Sequence, residues 1–396
     1  MTSTGTQPEN DGVARLSSVL NKIAGGALSF SEMEGPRREL AGISSDFNGV
    51  SGAAAEKLAE ALPRITDYGS RWIAARMLRD IALKNETQGA AALTALCGAV
   101  SREKDAGMRY MLCDLLRDVG LKHENLAVSA ATTIAEAAGR ENDIPALMSE
   151  KAALLALGLK YASAAPVAIA GLSNVMQGAN APHTSIRLSA GLRDIALQHP
   201  LFSADVIGVM ADAARNGADS VTVQQITRHM TEIALNAPDV LPQAVEVASA
   251  RVKSENKFEN IFAWTNVLHN LSAADPALVI TILKDGLASP AVMSHADKRR
   301  AYICNLSDLA DTGKTESGIC SGALLKALKE EPDAHHRRLI IGGLMTCVRN
   351  RINPKAIRQG LKDQLRKERD RETKDTLERA LRSLGYLAPA PRLVPL

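Results

Sequence analysis

The chain has 396 residues, of which 46% are hydrophobic but only 3% are aromatic, and its 47 basic and 44 acidic side chains leave a net charge of +3. This length allows a large buried core and two or three domains of ordinary size. The composition excludes a disordered chain, and the near balance of charge argues against a protein held to nucleic acid by a large basic surface. The scarcity of aromatic residues favours close-packed helices over an aromatic-rich β-sandwich.

The N-terminal segment, residues 1–35, is rich in Ser, Thr and Gly and lacks a basic region followed by an apolar stretch, so we expect no classical signal peptide. We expect a flexible arm in which an amphipathic stretch at residues 13–23 can form a short helix. The stretch 152–172 contains Lys160 and Pro166 and is expected to be a core helix rather than a membrane span. Five cysteines without a Cys-x-x-Cys pair predict free thiols and a cytoplasmic location.

A short sequence pattern recurs through the remainder of the chain. The segment LRDIAL occupies residues 78–83 and again 192–197, and related segments lie between and beyond these two. Eight intervals of 38 residues and one of 37 separate ten anchor positions, which are Leu40, Leu78, Leu116, Leu154, Leu192, Met230, Leu268, Leu306, Leu344 and Leu381. Pro200, Pro238 and Pro276 show the same spacing of 38. Such periodicity predicts a tandem-repeat protein.

Each repeat contains two helical patterns separated by short turns. In residues 70–84, apolar side chains at Ala74, Leu78 and Ile81 lie on one helical face. The other pattern is seen at residues 89–100, 241–250 and 276–287, and no convincing alternating strand pattern occurs. Because one helix pair cannot bury both of its faces, neighbouring pairs are expected to stack.

The anchored helix resembles the second helix of HEAT repeats. The resemblance is carried by Arg71, Ala74, Ala75, Leu78 and Ile81, with further basic residues at the position of Arg71, namely Arg109, Arg299 and Arg337. It covers residues 36–386 and predicts an all-α, right-handed α-solenoid of about nine to ten 38-residue two-helix repeats of the HEAT/armadillo type. A charged cap at residues 362–382 closes the array, and residues 387–396 form a tail.

The resemblance also implies an ionic ladder between neighbouring repeats. Its acidic members lie two residues after the anchor and are Asp80, Asp118, Asp194, Glu232 and Asp308. The basic members are the arginines at the position of Arg71. Two copies depart from this pattern, since the repeat of Leu154 has Leu147 and Ala156 in the two places and the repeat of Leu344 has Thr346 in the acidic one.

In HEAT-like proteins the second helices line a concave groove, and a helical wheel places the residues six before, two before and one after the anchor opposite the core. The column six before the anchor reads Trp72, Tyr110, Met148, Ile186, Gln224, Phe262, Arg300 and Arg338. We predict an apolar, aromatic groove that becomes basic toward the C-terminal end, with Trp72, Tyr110, Met148, Ile186, Phe262, Arg300 and Arg338 as partner-binding residues. The alternative is that these first-turn side chains fold onto the preceding turn and are buried.

Two basic features allow two interpretations each. The column one after the anchor, which includes Arg79, Arg117 and Arg193, forms either an inner basic surface or an ion-paired, solvated ladder with the adjacent acids. A denser cluster contains residues 298–300 and 335–338. It is either a site for an acidic or phosphorylated ligand or an ordinary solvated face.

The sequence contains no HExxH, P-loop, GxGxxG or GxSxG motif in a suitable context. Cys97 and Cys113, like Cys304 and Cys320, lie 16 residues apart and are better explained by packing than by zinc binding. We therefore predict no catalytic residues, no metal and no cofactor, and a non-enzymatic scaffold whose groove binds a protein or peptide with apolar and acidic segments. The alternatives are a nucleic-acid-binding HEAT-like protein, an enzyme with an unrecognised site, and a secreted bacterial effector that a specialised secretion system delivers into a host cell, where it binds host proteins.

Overall fold

A computed structural model describes residues 7–25, 30–46, 52–84, 86–178, 182–215, 219–311 and 314–386. These residues are helical or lie in turns, and no strand occurs among them. The chain divides into two compact units, Met1–Phe202 and Ser203–Leu396. Each unit is built from helix pairs in which the second helix carries an anchor residue.

The first unit contains five helix pairs in its described residues. They are formed by α1 (Gln7–Ala24) and α2 (Phe30–Asp46), α3 (Gly52–Ala61) and α4 (Tyr68–Lys84), α5 (Glu86–Arg102) and α6 (Ala106–Lys122), α7 (Glu124–Ala138) and α8 (Ile144–Lys160), and α9 (Ala165–Gly178) and α10 (Pro182–Gln198). The unit ends in a 3₁₀ turn, Pro200–Phe202.

The second unit repeats this plan with one extra short helix. Its described pairs are α11 (Ser203–Arg215) and α12 (Ser220–Asn236), α13 (Leu241–Ser254) and α14 (Phe258–Leu271), α15 (Pro276–Leu287) and α17 (Ala296–Leu309), α18 (Lys314–Glu330) and α19 (Ala334–Arg349), and α20 (Pro354–Lys367) and α21 (Arg371–Ser383). The additional helix, α16 (Pro290–Met293), lies in the connection between α15 and α17.

Within each unit the helices stack in two layers. The anchored helices contact one another in the order α2, α4, α6, α8 and α10 in the first unit, and α12, α14, α17, α19 and α21 in the second. The first helices of the pairs form the other layer in the same manner. This is the architecture of a HEAT/armadillo-like α-solenoid, as the sequence predicts.

The anchors lie at the centre of this stacking, and all ten of them have no exposed surface. Burying a leucine-sized side chain contributes about 1.5–3 kcal/mol relative to leaving it exposed. The repeated anchor is therefore a repeated core position.

Aspartate caps define where several anchored helices begin. The side chain of Asp105 accepts a hydrogen bond from the backbone N–H of Met108 at 2.8 Å, and Asp143 accepts one from Ala146 at 3.0 Å. Asp333 and Asp370 do the same for α19 and α21. Such caps satisfy donors that the first helical turn would otherwise leave unpaired.

The N-terminal segment differs from the expected flexible arm. Residues 1–6 lie outside the described part of the chain, but α1 follows them and contacts α2 and α3. Its buried side chains are Leu16, Val19, Leu20 and Ile23. Because their spacing forms one apolar face, the helix packs as the first member of the first pair. The predicted tail, residues 387–396, lies outside the described residues.

Candidate functional site

We call the side of the anchored helices that bears residues six before, two before and one after the anchor the outward face. Phe262 is 52% exposed and Tyr110 is 39% exposed on it, and Arg300 is exposed as well. Four predicted site residues are half-buried, namely Trp72, Met148, Ile186 and Arg338. None of the seven side chains is fully buried in core, in contrast to the alternative interpretation.

A second large side chain often lies one turn before these positions. Tyr68 precedes Trp72 in α4, Ile144 precedes Met148 in α8, and Phe258 precedes Phe262 in α14. The first member of each of the three pairs is exposed, with exposed fractions of 46% for Tyr68, 73% for Ile144 and 41% for Phe258. The sequence analysis missed this second column, although a spacing of four residues on a helix places both side chains on one face.

The most developed of these pairs is in the second unit. The rings of Phe258 and Phe262 are stacked, with their centroids 6.4 Å apart and an interplanar angle of 26°. The guanidinium carbon of Arg300, on α17, lies 5.9 Å from the centroid of the Phe258 ring. The result is an exposed aromatic pair with a cation at its edge, which we call the Phe258–Phe262 patch.

Beside this patch, α12 and α14 enclose an open cleft of about 820 Å³. Phe262 lies in its wall, and most of the lining residues are polar, among them Gln224, Gln225, Arg228, Thr231, Asn266 and Asn270. This region therefore offers more hydrogen-bonding groups than the predicted apolar groove. The reason is that the positions around the anchor in these two helices carry amide side chains, which present hydrogen-bonding groups instead of apolar surface.

Three arginines of the predicted basic cluster, Arg299, Arg337 and Arg338, form ion pairs within the fold. Arg299 and His336 both contact the Glu331 carboxylate, at 3.1 Å and 3.3 Å. Arg338 contacts Asp370 at 3.1 Å and Glu372 at 3.3 Å. Of the cluster, Arg300 and His335 are exposed. These pairs leave much less positive charge for an anionic ligand than the sequence pattern suggests.

The arginines at the position of Arg71 have a different partner from the expected acidic column. Arg109 contacts Glu141 at 2.6 Å, and Glu141 lies in the turn before the next anchored helix. The equivalent pairs are Arg71 with Glu103, Arg299 with Glu331, and Arg337 with Glu368. These four ion pairs between repeats thus each connect an anchored helix to the turn before the next anchored helix.

These glutamates also organise the turns in which they lie. The Glu141 carboxylate accepts hydrogen bonds from the backbone N–H groups of Asn142 and Asp143, both at 2.8 Å. Burial alone would raise the pKa of Glu141, but these hydrogen bonds and the Arg109 guanidinium outweigh burial and lower that pKa. The pair is therefore charged and structural at neutral pH.

The acidic column of Asp80 is paired with the basic residues next to it. Arg79 contacts Asp80 at 2.7 Å and Asp118 at 3.4 Å, and Arg117 contacts Asp118 at 3.0 Å. Arg193 contacts Asp194 at 2.7 Å. These partly exposed pairs form the solvated ladder, not a basic inner surface.

In the described residues no group of three or more His, Cys, Asp or Glu side chains is placed to hold a metal ion. All five cysteines are free, and burial raises the pKa of the Cys320 thiol to about 12, which disfavours the reactive thiolate. No helix in the described ranges is long and apolar enough to cross a bilayer.

No protein-family model matches the chain, and no curated protein matches it. Among solved structures it is similar to an engineered protein at 16% identity with a TM-score of 0.38, where the match covers 94% of this chain and 99% of the other. It is also similar to Kap121p bound to Pho4p, at 11% identity and a TM-score of 0.45, with 96% of this chain and 41% of the other covered. A structure of the karyopherin Kap121p bound to the SUMO protease Ulp1p matches at 11% identity and a TM-score of 0.43, with 94% of this chain and 42% of the other covered. The chain thus spans about two fifths of the karyopherin.

Proposed function

We propose that the protein is a non-enzymatic scaffold whose outward face binds a segment of a partner protein. The observation that carries this proposal is the Phe258–Phe262 patch, because aromatic side chains and arginine are enriched at protein interfaces. A polar cleft beside the patch supplies hydrogen-bonding groups that fix the position of a bound chain.

The chemistry of the patch indicates the kind of segment that fits it. Two stacked rings favour an apolar or aromatic side chain, and Arg300 favours an acidic residue next to it. The amides lining the cleft can pair with the peptide backbone of the same segment. We therefore assign the patch to a segment with an apolar residue followed or preceded by an acidic one.

The outward face offers less to a nucleic acid. Its arginines Arg79, Arg117 and Arg193 are each within ion-pair distance of the aspartate that follows them in the sequence. Binding to a phosphate backbone depends on cations that can replace counterions, and these cations are already neutralised.

The proposal is tested by affinity capture followed by measurement of the affinity of each captured protein for purified variants. Phe262→Ala is expected to weaken binding of the true partner by about 1–3 kcal/mol, or about 5- to 150-fold, because it removes an interface anchor that supports little of the fold. Arg300→Glu is expected to weaken binding through a slower association rate that depends on salt.

The matched control is Leu201→Ala, which truncates a side chain that is 85% exposed and lies outside the outward face. It should leave the affinity unchanged. Equal binding of every captured protein by the wild type, Phe262→Ala and Leu201→Ala would exclude the patch as the binding surface.

A further inference from the structure

Helix α8 carries two charged residues at positions that are apolar or small in most other repeats. Glu150 and Lys151 lie four and three residues before the anchor Leu154. The residues four before eight of the other anchors are buried and largely apolar, namely Ala74, Leu112, Leu188, Ile226, Trp264, Tyr302, Ile340 and Leu377, and the ninth, Pro36, is half-buried. Glu150 has no exposed surface and Lys151 is 7% exposed, so these two charged side chains of α8 lie in the interior.

The side chains of Glu150 and Lys151 lie next to different parts of the fold. An oxygen of Glu150 lies 3.8 Å from the Sγ atom of Cys113 on α6. Lys151 instead lines a half-open cavity of about 160 Å³ between α8 and α10. The other lining residues are mainly apolar, namely Met148, Ala152, Leu155, Leu172, Leu188 and Gly191, together with Thr184 and Arg187.

Neither cation at this cavity has a counter-charge among the described residues. In the ranges that the structure describes, neither Lys151 nor Arg187 forms an ion pair or a hydrogen bond through its side chain. Burial lowers the pKa of Lys151, which reflects the cost of keeping an ammonium group in an apolar surrounding. A carboxylate that entered the cavity would reduce this cost by forming a charge-assisted hydrogen bond.

The volume limits the size of the apolar part of such a ligand. An engineered apolar cavity of about 150 Å³ holds a benzene molecule. A cavity of about 160 Å³ therefore has room for one aromatic ring or one branched aliphatic group.

We propose that the cavity lined by Lys151 and Arg187 binds a carboxylate attached to one ring-sized apolar group. The carboxylate faces the two cations, and the apolar group contacts Met148, Leu155 and Leu188. The same chemistry is present in a free aromatic acid and in the C-terminal residue of a protein that ends in Phe or Leu. Met148, Ala152 and Leu155 belong to the outward face of the Leu154 repeat, but the proposal does not rest on the Phe258–Phe262 patch.

The test is calorimetric titration of the full chain with sodium benzoate and, separately, with benzamide, which has the same ring but no charge. Benzoate is expected to bind, and benzamide is expected to bind about tenfold more weakly or not at all, because a hydrogen bond between charged groups is worth about a factor of ten or more. Equal affinity for both compounds, or no heat with either, would overturn the proposal.

Two variants and one control locate the site. Lys151→Met keeps the length of the side chain and removes the charge, so it should weaken benzoate binding by about tenfold. Ala152→Leu fills the cavity from its exposed edge and should abolish binding without removing either cation. Lys122→Met removes an exposed lysine at the end of α6 and should change nothing. Benzoate binding that all three variants retain would place the ligand elsewhere and refute the assignment.

A second pair of probes distinguishes the two sources of the carboxylate. N-acetyl-Gly-Phe is titrated with a free C-terminus and with an amidated one. Tighter binding of the free-acid peptide than of benzoate, lost on amidation, assigns the cavity to a protein C-terminus, whereas binding of benzoate alone assigns it to a free acid.

Discussion

Helices α6 and α8 are neighbours with the same length of 17 residues, the same kind of aspartate cap and a fully buried anchor, yet they place their charges differently. In α6, Arg109 pairs with a glutamate of the next turn, and Arg117 pairs with two aspartates of its own helix. In α8, Leu147 and Leu155 occupy the two corresponding positions, and Glu150 and Lys151 are buried instead.

Comparing the two helices shows which features every repeat needs and which features a repeat can lack. The cap and the anchor are kept in both helices, so they carry the repeat architecture. The ion pairs are present in one helix and absent from the other, so they are not needed at every junction. Buried charges without a full set of partners reduce stability. The charges of α8 therefore cost stability, whereas those of α6 are paired.

The largest expected effect tests the feature that α6 and α8 share. Leu116→Ala and Leu154→Ala should each destabilise the protein by about 2–5 kcal/mol, because each truncation leaves a cavity in a fully buried position. Denaturant unfolding of both variants measures the loss. Arg117→Ala is the matched control and should cost less than about 1 kcal/mol, since its ion pairs are partly exposed. A cost for Leu154→Ala that is as small as the control's would mean that the core of α8 is not packed like that of α6.

The next effect tests the ion pair that α6 has and α8 lacks. Arg109→Ala should destabilise by about 3 kcal/mol, because it leaves the Glu141 carboxylate, whose side chain is 2% exposed, without its cation. Unfolding at neutral pH measures this change. The double variant Arg109→Ala/Glu141→Gln should recover part of the loss, since the unpaired charge is then removed. A double variant that is less stable than Arg109→Ala would show that Glu141 acts mainly through its turn hydrogen bonds.

The smallest effect concerns Glu150 and depends on pH. Burial raises the pKa of Glu150 from 4.5 to about 7, with a further contribution from Glu141. The folded state therefore holds this proton more tightly than the unfolded state, so the contribution of Glu150 to stability is greatest below pH 4.5 and is lost as the pH rises through about 7.

Glu150→Gln should remove this dependence. We expect the variant to be more stable than the wild type by about 2 kcal/mol near pH 8, and nearly equal to it near pH 4, when unfolding free energies are measured across this range. Asp114→Asn, which changes a partly exposed carboxylate of α6, should not alter the slope in the same way. A pH-independent difference between Glu150→Gln and the wild type would contradict a raised pKa.

The stacked helix pairs were predictable because a large apolar anchor residue recurs at a nearly constant spacing. Every anchor from Leu40 to Leu381 is buried, and the helix at residues 276–287 has the predicted bounds. The amphipathic stretch at residues 13–23 indicated a short helix, but the full extent of α1 and its packing in the first pair were not predicted, because its four buried residues fall before the first anchor and so lie outside the repeat pattern.

Contacts between repeats were harder to predict than the repeats themselves. The sequence offers Arg71 two acidic columns at suitable positions, and nothing in the spacing alone shows that Glu103, in the following turn, is closer than Asp80. Likewise, Glu150 and Lys151 interrupt the pattern of the Leu154 repeat. Comparison of the repeats within the sequence shows only that this repeat departs from the others. The burial of Glu150 depends on the packing of α6 against α8, and the cavity beside Lys151 depends on the packing of α10 against α8.

The pairing of Arg71 with Glu103, and of Arg109 with Glu141, has a consequence for how the length of this chain can change. Both pairs span 32 residues, and the two arginines are themselves 38 residues apart. Excision of residues 72–109 would bring Arg71 into the register of Arg109, opposite Glu141, with the next cap and the next anchor in place. At these two junctions the chain can therefore lose one whole repeat and keep an arginine opposite a glutamate. Deleting a number of residues other than 38 between Arg71 and Glu141 would shift the remaining arginine relative to the glutamate, so these ion pairs favour changes of length by whole repeats.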